Sequence, residues 1–208
     1  MLNKNTKVFG SFSACAGNVG CTYFNAKFTE LGIDAIYKSF SIEDIKEAVS
    51  AARCLNFSGF AVSMPYKTSV LEYVDQYSPE VHKINAANTV INEKGTLIAY
   101  NTDYYAAYKM LAGNEKKIVL LGNGGLAKAV NVALRDLQIS SETIIRKNWE
   151  KIRDIRESLV VNCTPVGNLE LDPTNTLLDC RIGTETGNQF ARYQAQKQLE
   201  LYLRSIST

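Results

Sequence analysis

Apolar residues in this chain alternate between short unbroken runs and longer stretches in which they recur every three or four positions. The first rhythm predicts buried strands and the second predicts amphipathic helices. Residues 7–12 predict a strand. Residues 22–31 carry Phe24, Phe28 and Leu31 at helical spacing, with Gly32 as the stop. Residues 33–40 predict a second strand, after which Ser41 and Asp44 make a capping-box-like start for a helix whose Ile45, Ala48, Val49, Ala52 and Leu55 share one face. Residues 57–62 predict a third strand. Strand and helix in alternation predict an α/β fold with a mainly parallel sheet and right-handed crossovers.

Pro65 then stands where a helix would begin, which puts Lys67 in or near a first helical turn, with Val70, Leu71 and Val74 behind it. Ser78 and Pro79 open another helical turn. Residues 88–92 and 96–100 predict strands joined by Glu93, Lys94 and Gly95, and Asp103 begins a helix through Leu111. The texture changes at Lys116. Residues 117–121 are a wholly apolar strand once past Lys117, followed by Gly122, Asn123, Gly124 and Gly125 and a helix rich in alanine and valine. Residues 142–145 and 158–161 predict two more strands, 168–186 read as irregular, and 187–203 form a closing amphipathic helix. The expectation is two domains: residues 1–103, with the helix 187–205 packing back on them, and a short Rossmann-like domain over 104–186. Its sheet has few strands, so a homodimer partner or a covering loop is expected to complete it.

Composition narrows the class. Of 208 residues, 46% are hydrophobic and 21% charged, enough to bury a core, and the net charge of +2 is too near balance to argue for nucleic acid. Five cysteines stand at Cys15, Cys21, Cys54, Cys163 and Cys180, odd in number and without metal-ligand spacing, which suits a reducing cytoplasm and no bound metal. Neither an export signal nor a run long enough to cross a membrane is read in the chain. The single histidine, His82, falls in a polar stretch and reads as a surface side chain.

Chemistry gathers at the predicted strand ends. A lysine near a helix start is disfavoured by the helix dipole, so Lys67 needs a counter-charge or a role, and Asp103 could supply the first or cap its own helix. Strand, glycine loop and helix over 117–134 is the setting in which a backbone approaches a pyrophosphate, although GxGG is short of the full dinucleotide pattern and a tight turn explains it about as well. Arg146 and Lys147 end the next strand where an NAD enzyme carries an acidic residue. Basic groups there suit a 2′-phosphate and hence NADP.

These landmarks resemble the shikimate dehydrogenase family, in order along nearly the whole chain. Val62, Ser63, Met64, Pro65, Tyr66 and Lys67 look like its Val-Thr-Met-Pro-His-Lys. Ala87–Thr89 and Asn101–Asp103 look like its Val-Asn-Thr and Asn-Thr-Asp, Gly122 to Gly125 like its Gly-Ala-Gly-Gly, and Asn162 to Gly167 like its Asn-Ala-Thr-Pro-x-Gly. The closing helix carries Gln194 where the family has a ligand-binding glutamine. Gly17, Asn18, Val19, Gly20 and the run Leu126 to Val130 are similar to the shikimate-dehydrogenase-like subfamily.

The resemblance implies NADP-dependent interconversion of 3-dehydroshikimate and shikimate, or a related polyol acid such as quinate. Lys67 and Asp103 would be catalytic. Asn25, Ser63, Asn88 and Gln194 would bind substrate, and Gly122, Asn123, Gly124, Gly125, Arg146, Lys147, Asn162 and Thr164 the cofactor. Ala61, Gly20 and Phe24 depart from the family's polar residues, and its Asp-x-x-Tyr-x-Pro segment has no counterpart here. A second reading follows: a non-catalytic binder that keeps the shikimate-like pocket without a full cofactor site.

Overall fold

A computed structural model describes residues 2–207. In chain order the elements are β1 (Lys7–Ser13), α1 (Val19–Glu30), β2 (Ala35–Ser41), α2 (Ile45–Cys54), β3 (Gly59–Val62), β4 (Gln76–Tyr77), α3 (Pro79–Ile84), β5 (Thr89–Glu93), β6 (Thr96–Tyr100) and α4 (Thr102–Leu111). They continue with β7 (Lys117–Leu121), α5 (Gly125–Asp136), β8 (Ser141–Ile144), β9 (Ser158–Asn162), β10 (Thr176–Asp179) and α6 (Glu185–Ser207). The chain forms two compact units, one of the residues up to Thr102 with those from Gln198 onward, the other Asp103–Lys197. The closing helix thus contributes to both units.

The first unit is a six-stranded sheet in the order β2-β1-β3-β5-β6-β4. β1 lies parallel to β2 and β3, while β5 runs antiparallel to both β3 and β6. Alternation along each strand builds a core on both faces. Phe12, Phe60, Val62 and Val90 meet Val49 and Ala52 of α2 on one side; Phe9 and Ile91 meet Phe24 and Phe28 of α1 and Tyr202 of α6 on the other. β3 and β5 approach so closely at Gly59 that a Cβ there would sit 2.8 Å from the Val90 carbonyl oxygen. The β5–β6 hairpin turns through Lys94 and Gly95, both at positive φ, as a two-residue reversal requires.

The second unit holds a four-stranded, wholly parallel sheet in the order β10-β9-β7-β8. Ile118 and Leu120 of β7 pack with α5 and Phe190 of α6 on one face, while Val119 and Leu121 pack with Ile144, Ile152 and Ile155 on the other. Among the described residues no helix is long and apolar enough to cross a membrane.

Three local expectations are corrected. Asp44, not Ser41, caps α2, its carboxylate accepting from the Lys46 and Glu47 N–H groups. Ser41 ends β2, and its hydroxyl accepts from the Ala16 N–H. Lys67 lies in a turn ahead of a short 3-10 segment, Ser69–Tyr73, so no α-helix dipole acts on it. The stretch read as irregular, 168–186, contains β10, and the sheet gains a fourth strand.

Candidate active site

In the first unit the end of β3, the turn after it and the start of β5 are tied through their backbones. The Val62 N–H donates to the Asn88 carbonyl at 2.8 Å, and the Ala87 N–H donates to the Lys67 carbonyl at 2.8 Å. Ser63, Lys67 and Asn88 are thereby gathered at one end of the two central strands. Ser63 is exposed, Lys67 half-buried and Asn88 buried.

The orientation of Asn88 is fixed from behind. Its Oδ1 accepts from the Thr102 N–H at 2.8 Å, the Thr89 hydroxyl at 3.0 Å and the Thr102 hydroxyl at 3.2 Å. With three donors converging on the oxygen, the NH2 is turned the other way. Among the described residues Asn88 Nδ2 is the one buried side-chain polar atom without a hydrogen-bond partner. A buried donor left unmade costs about 1–3 kcal/mol, which favours an arrangement whose partner is a ligand acceptor.

That arrangement is braced further back. Thr89 Oγ1 accepts from Gln198 Nε2 at 3.1 Å, whose second hydrogen goes to the Tyr202 hydroxyl at 3.0 Å. Tyr202 is in turn bonded to Tyr37. Sequence reasoning missed Gln198; the available signal is its place one turn before Tyr202, on the buried stripe of α6. Asn25 spends both amide hydrogens on the Cys21 and Tyr37 carbonyls, and its Oδ1 accepts from the Tyr37 N–H. It stitches α1 to β2, and a ligand reaching it would meet only the second lone pair of Oδ1.

In the second unit Gly122, Asn123, Gly124, Arg146 and Thr164 line one cavity of about 650 Å³, together with Trp149, Cys163, Pro165 and Val166. Cys163, Pro165 and Val166 belong to the Asn162–Gly167 motif, and Trp149 lies outside every motif read in the sequence. Gly122 takes φ +106°, and a Cβ there would lie 3.0 Å from the Thr164 methyl. A Cβ on Gly124 or Gly125 would meet nothing within 4 Å, so the backbone faces open space. No side chain caps the first turn of α5, and no acidic residue stands in it. Its N–H groups, the positive end of the helix and the Arg146 guanidinium suit the phosphates of a dinucleotide. The donor set therefore fits NADP, with Gly122, Gly124, Gly125 and Arg146 as the phosphate-holding residues. Lys147 is exposed and does not line the cavity.

Asn162 lies beneath the cavity wall and shapes it. Its Oδ1 accepts from the Thr164 N–H and hydroxyl at 3.0 and 2.7 Å, and its Nδ2 donates to the Val166 carbonyl at 2.9 Å and to Asp179 at 3.3 Å. Asp179 also holds Arg181 through a 2.6 Å bond, and Arg181 donates to the Gly167 carbonyl. Burial pushes the Asp179 carboxyl up, but the hydrogen bonds and charge of Arg181, with the Asn162 amide, outweigh it and hold the carboxyl below its usual range. The Cys163 thiol is raised well above its ordinary range by a hydrogen bond with the free thiol of Cys180, by burial, and by the charges of Cys180, Asp103 and Asp179. Asp103 itself is buried in the first turn of α4, and Gln194 is half-buried on α6.

Residues 19–90 match the family model of the shikimate dehydrogenase substrate binding domain. A shikimate dehydrogenase-like protein of Haemophilus influenzae is 36% identical over 152 residues, 71% of this chain and 56% of that protein. The chain belongs to the shikimate dehydrogenase family. A shikimate dehydrogenase (NADP(+)) of Clostridium beijerinckii is 36% identical over 69% of this chain and 62% of its own length. The chain thus spans little more than half the length of these curated relatives. Among solved structures, a shikimate 5-dehydrogenase-like protein superposes with a TM-score of 0.84 and 28% identity, covering 97% of this chain and 93% of that one. Within the shikimate dehydrogenase fold, β3 and β5 present Ser63, Lys67 and Asn88, and the β7–α5 loop presents the glycines.

Proposed function

We propose that this chain is an NADP-dependent oxidoreductase that interconverts 3-dehydroshikimate and shikimate, or a related polyol acid such as quinate. The observation that carries this reading is the Asn88 carboxamide, buried, locked by three donors on one side and holding an unmatched NH2 on the other. Such a group recognises a hydroxyl or carboxylate oxygen, and a polyol acid offers several. Ser63 and Gln194 supply further neutral partners for it, with Asn25 at its remaining lone pair.

When bound, NADP gives or takes up the hydride. Lys67 gives a proton to the carbonyl oxygen in reduction and takes it back in oxidation, and its ammonium offsets the negative charge that the oxygen develops. Asp103 is the second catalytic residue of this reading. Gly122, Asn123, Gly124 and Gly125 would bring bare backbone to the pyrophosphate, Arg146 would hold the 2′-phosphate without Lys147, which does not line the cavity, and Thr164, held by Asn162, would complete the wall. The name of the Clostridium beijerinckii relative supports NADP. The same reading includes a homodimer joined at an open sheet edge and a reducing cytoplasm, in keeping with five free thiols.

The test is NADPH formation with shikimate, then with quinate. Turnover that Lys67→Ala abolishes supports the assignment, and no turnover above that control overturns it. Calorimetry that finds shikimate bound without NADP would make the chain a ligand-binding protein instead.

A further inference from the structure

The one tryptophan of the chain is half-buried and lines the dinucleotide cavity beside Arg146. It sits in a 3-10 segment, Arg146–Asp154, whose backbone leaves helical geometry at Asn148 (φ −127°, ψ 33°). That kink is held by the Asn148 carboxamide oxygen, which accepts from the Ile145 N–H at 2.8 Å. Arg146 and Trp149, on either side of the kink, both line the cavity, whereas Lys147 does not. Trp149 packs against the cluster of Val119, Leu121, Ile144, Ile152, Ile155 and Val160. Its indole is therefore anchored on apolar residues where it meets the sheet and open where it meets the cavity. A plug of the core would be covered; an indole left lining a cavity offers a π-face.

The lining of this cavity divides by chemistry. The glycines and the N-terminus of α5 suit phosphate, Arg146 suits a further anionic group, and Trp149 is the aromatic surface of the set. We propose that Trp149 is the base platform of this site, stacking on the adenine of the bound nucleotide. The inference rests on the reading of the cavity as an NADP site and adds the residue that recognises the base. Stacking of this kind is worth roughly 5- to 100-fold in affinity per base.

The probe is adenosine 2′,5′-bisphosphate, which carries the base and the 2′-phosphate without nicotinamide. Because the chain has a single tryptophan, fluorescence excited at the red edge, where its tyrosines do not absorb, reports this position alone. Stacking predicts saturable quenching at the same dissociation constant that calorimetry gives. Trp149→Phe is expected to bind within a few-fold of the parent, and Trp149→Ala roughly 5- to 100-fold more weakly. Ribose 5-phosphate, which lacks a base, is expected to leave the fluorescence unchanged. Calorimetric binding with no quenching of the parent protein, or an Ala variant that binds as tightly, overturns the platform and leaves the dinucleotide reading standing. Absence of calorimetric binding to the folded parent overturns both. The quenching measurement needs no variant, so instability of Trp149→Ala does not blunt the test.

Discussion

Gln198 links the closing helix to the bonds that aim Asn88, and its removal has a cost that follows from the geometry. Gln198→Met keeps the length of the side chain and deletes two hydrogen bonds, those to Thr89 Oγ1 (3.1 Å) and the Tyr202 hydroxyl (3.0 Å). Neither partner is wholly orphaned, because Thr89 still donates to Asn88 and Tyr202 remains bonded to Tyr37. The loss is therefore the ordinary worth of two bonds, about 2 kcal/mol, without the larger penalty of a buried group left unpaired. For a chain of this size that lowers Tm by about 4–8 °C. Thermal unfolding of Gln198→Met, Thr89→Val and the double variant closes a cycle, with a coupling of about 1 kcal/mol expected for the shared bond. The single variant is also expected to raise KM for the polyol acid and leave kcat nearly unchanged, since the Thr102 N–H still orients the amide. A Gln198→Met protein that melts with the parent, or two effects that simply add, would refute the proposed linkage.

Two other outcomes are open to measurement. Burial pushes the Tyr37 hydroxyl up to about 12 and raises Tyr202 well above the ordinary tyrosine range, so both should ionise late in a spectrophotometric titration. Below the unfolded value of 10.0 both states hold the Tyr37 proton, and above it only the folded state does. Stability contributed by that proton is lost as pH rises from about 10 to 12, by about 3 kcal/mol, and denaturant midpoints that stay flat across the window would contradict the burial of this ring. Gly167→Ala would place a Cβ 2.5 Å from Arg181 Nη1, displacing the guanidinium from the Gly167 carbonyl. A loss of about 1 kcal/mol is expected by thermal unfolding. It should vanish in an Arg181→Ala background, and an equal loss in both backgrounds rules out the clash as its cause.

The alternation of apolar runs in the sequence is enough for the two α/β layers, because Phe9, Phe12, Val90 and Ile91 lie on strands whose every second residue must enter one core or the other. β10 escapes such reasoning: Leu177 and Leu178 are two apolar residues in a polar stretch, and an edge strand with one neighbour needs no longer run. The capping residue of α2 was misjudged because Ser41 and Asp44 both have the chemistry, and only the length of β2 decides between them. At the site, the glycines and Arg146 were legible from strand, loop and helix. Trp149 was not, since an aromatic in a charged segment carries no periodic signal. The ligand role of Asn25 comes from the family resemblance, and its bonds to Tyr37 and Cys21 are tertiary facts that no local pattern announces. The same holds for Gln198, whose partner Thr89 lies far away in sequence.

Three donors converging on the oxygen of Asn88 have a consequence for chemical ageing. While that oxygen is held, the outward side of this amide presents only hydrogens and disfavours ammonium groups and other donors. Deamidation of this one residue would exchange the outward hydrogens for an anionic oxygen and reverse the preference, so that the aged molecule would welcome amines where the fresh one binds acids and alcohols. The polarity of this one contact thus rests on a single nitrogen.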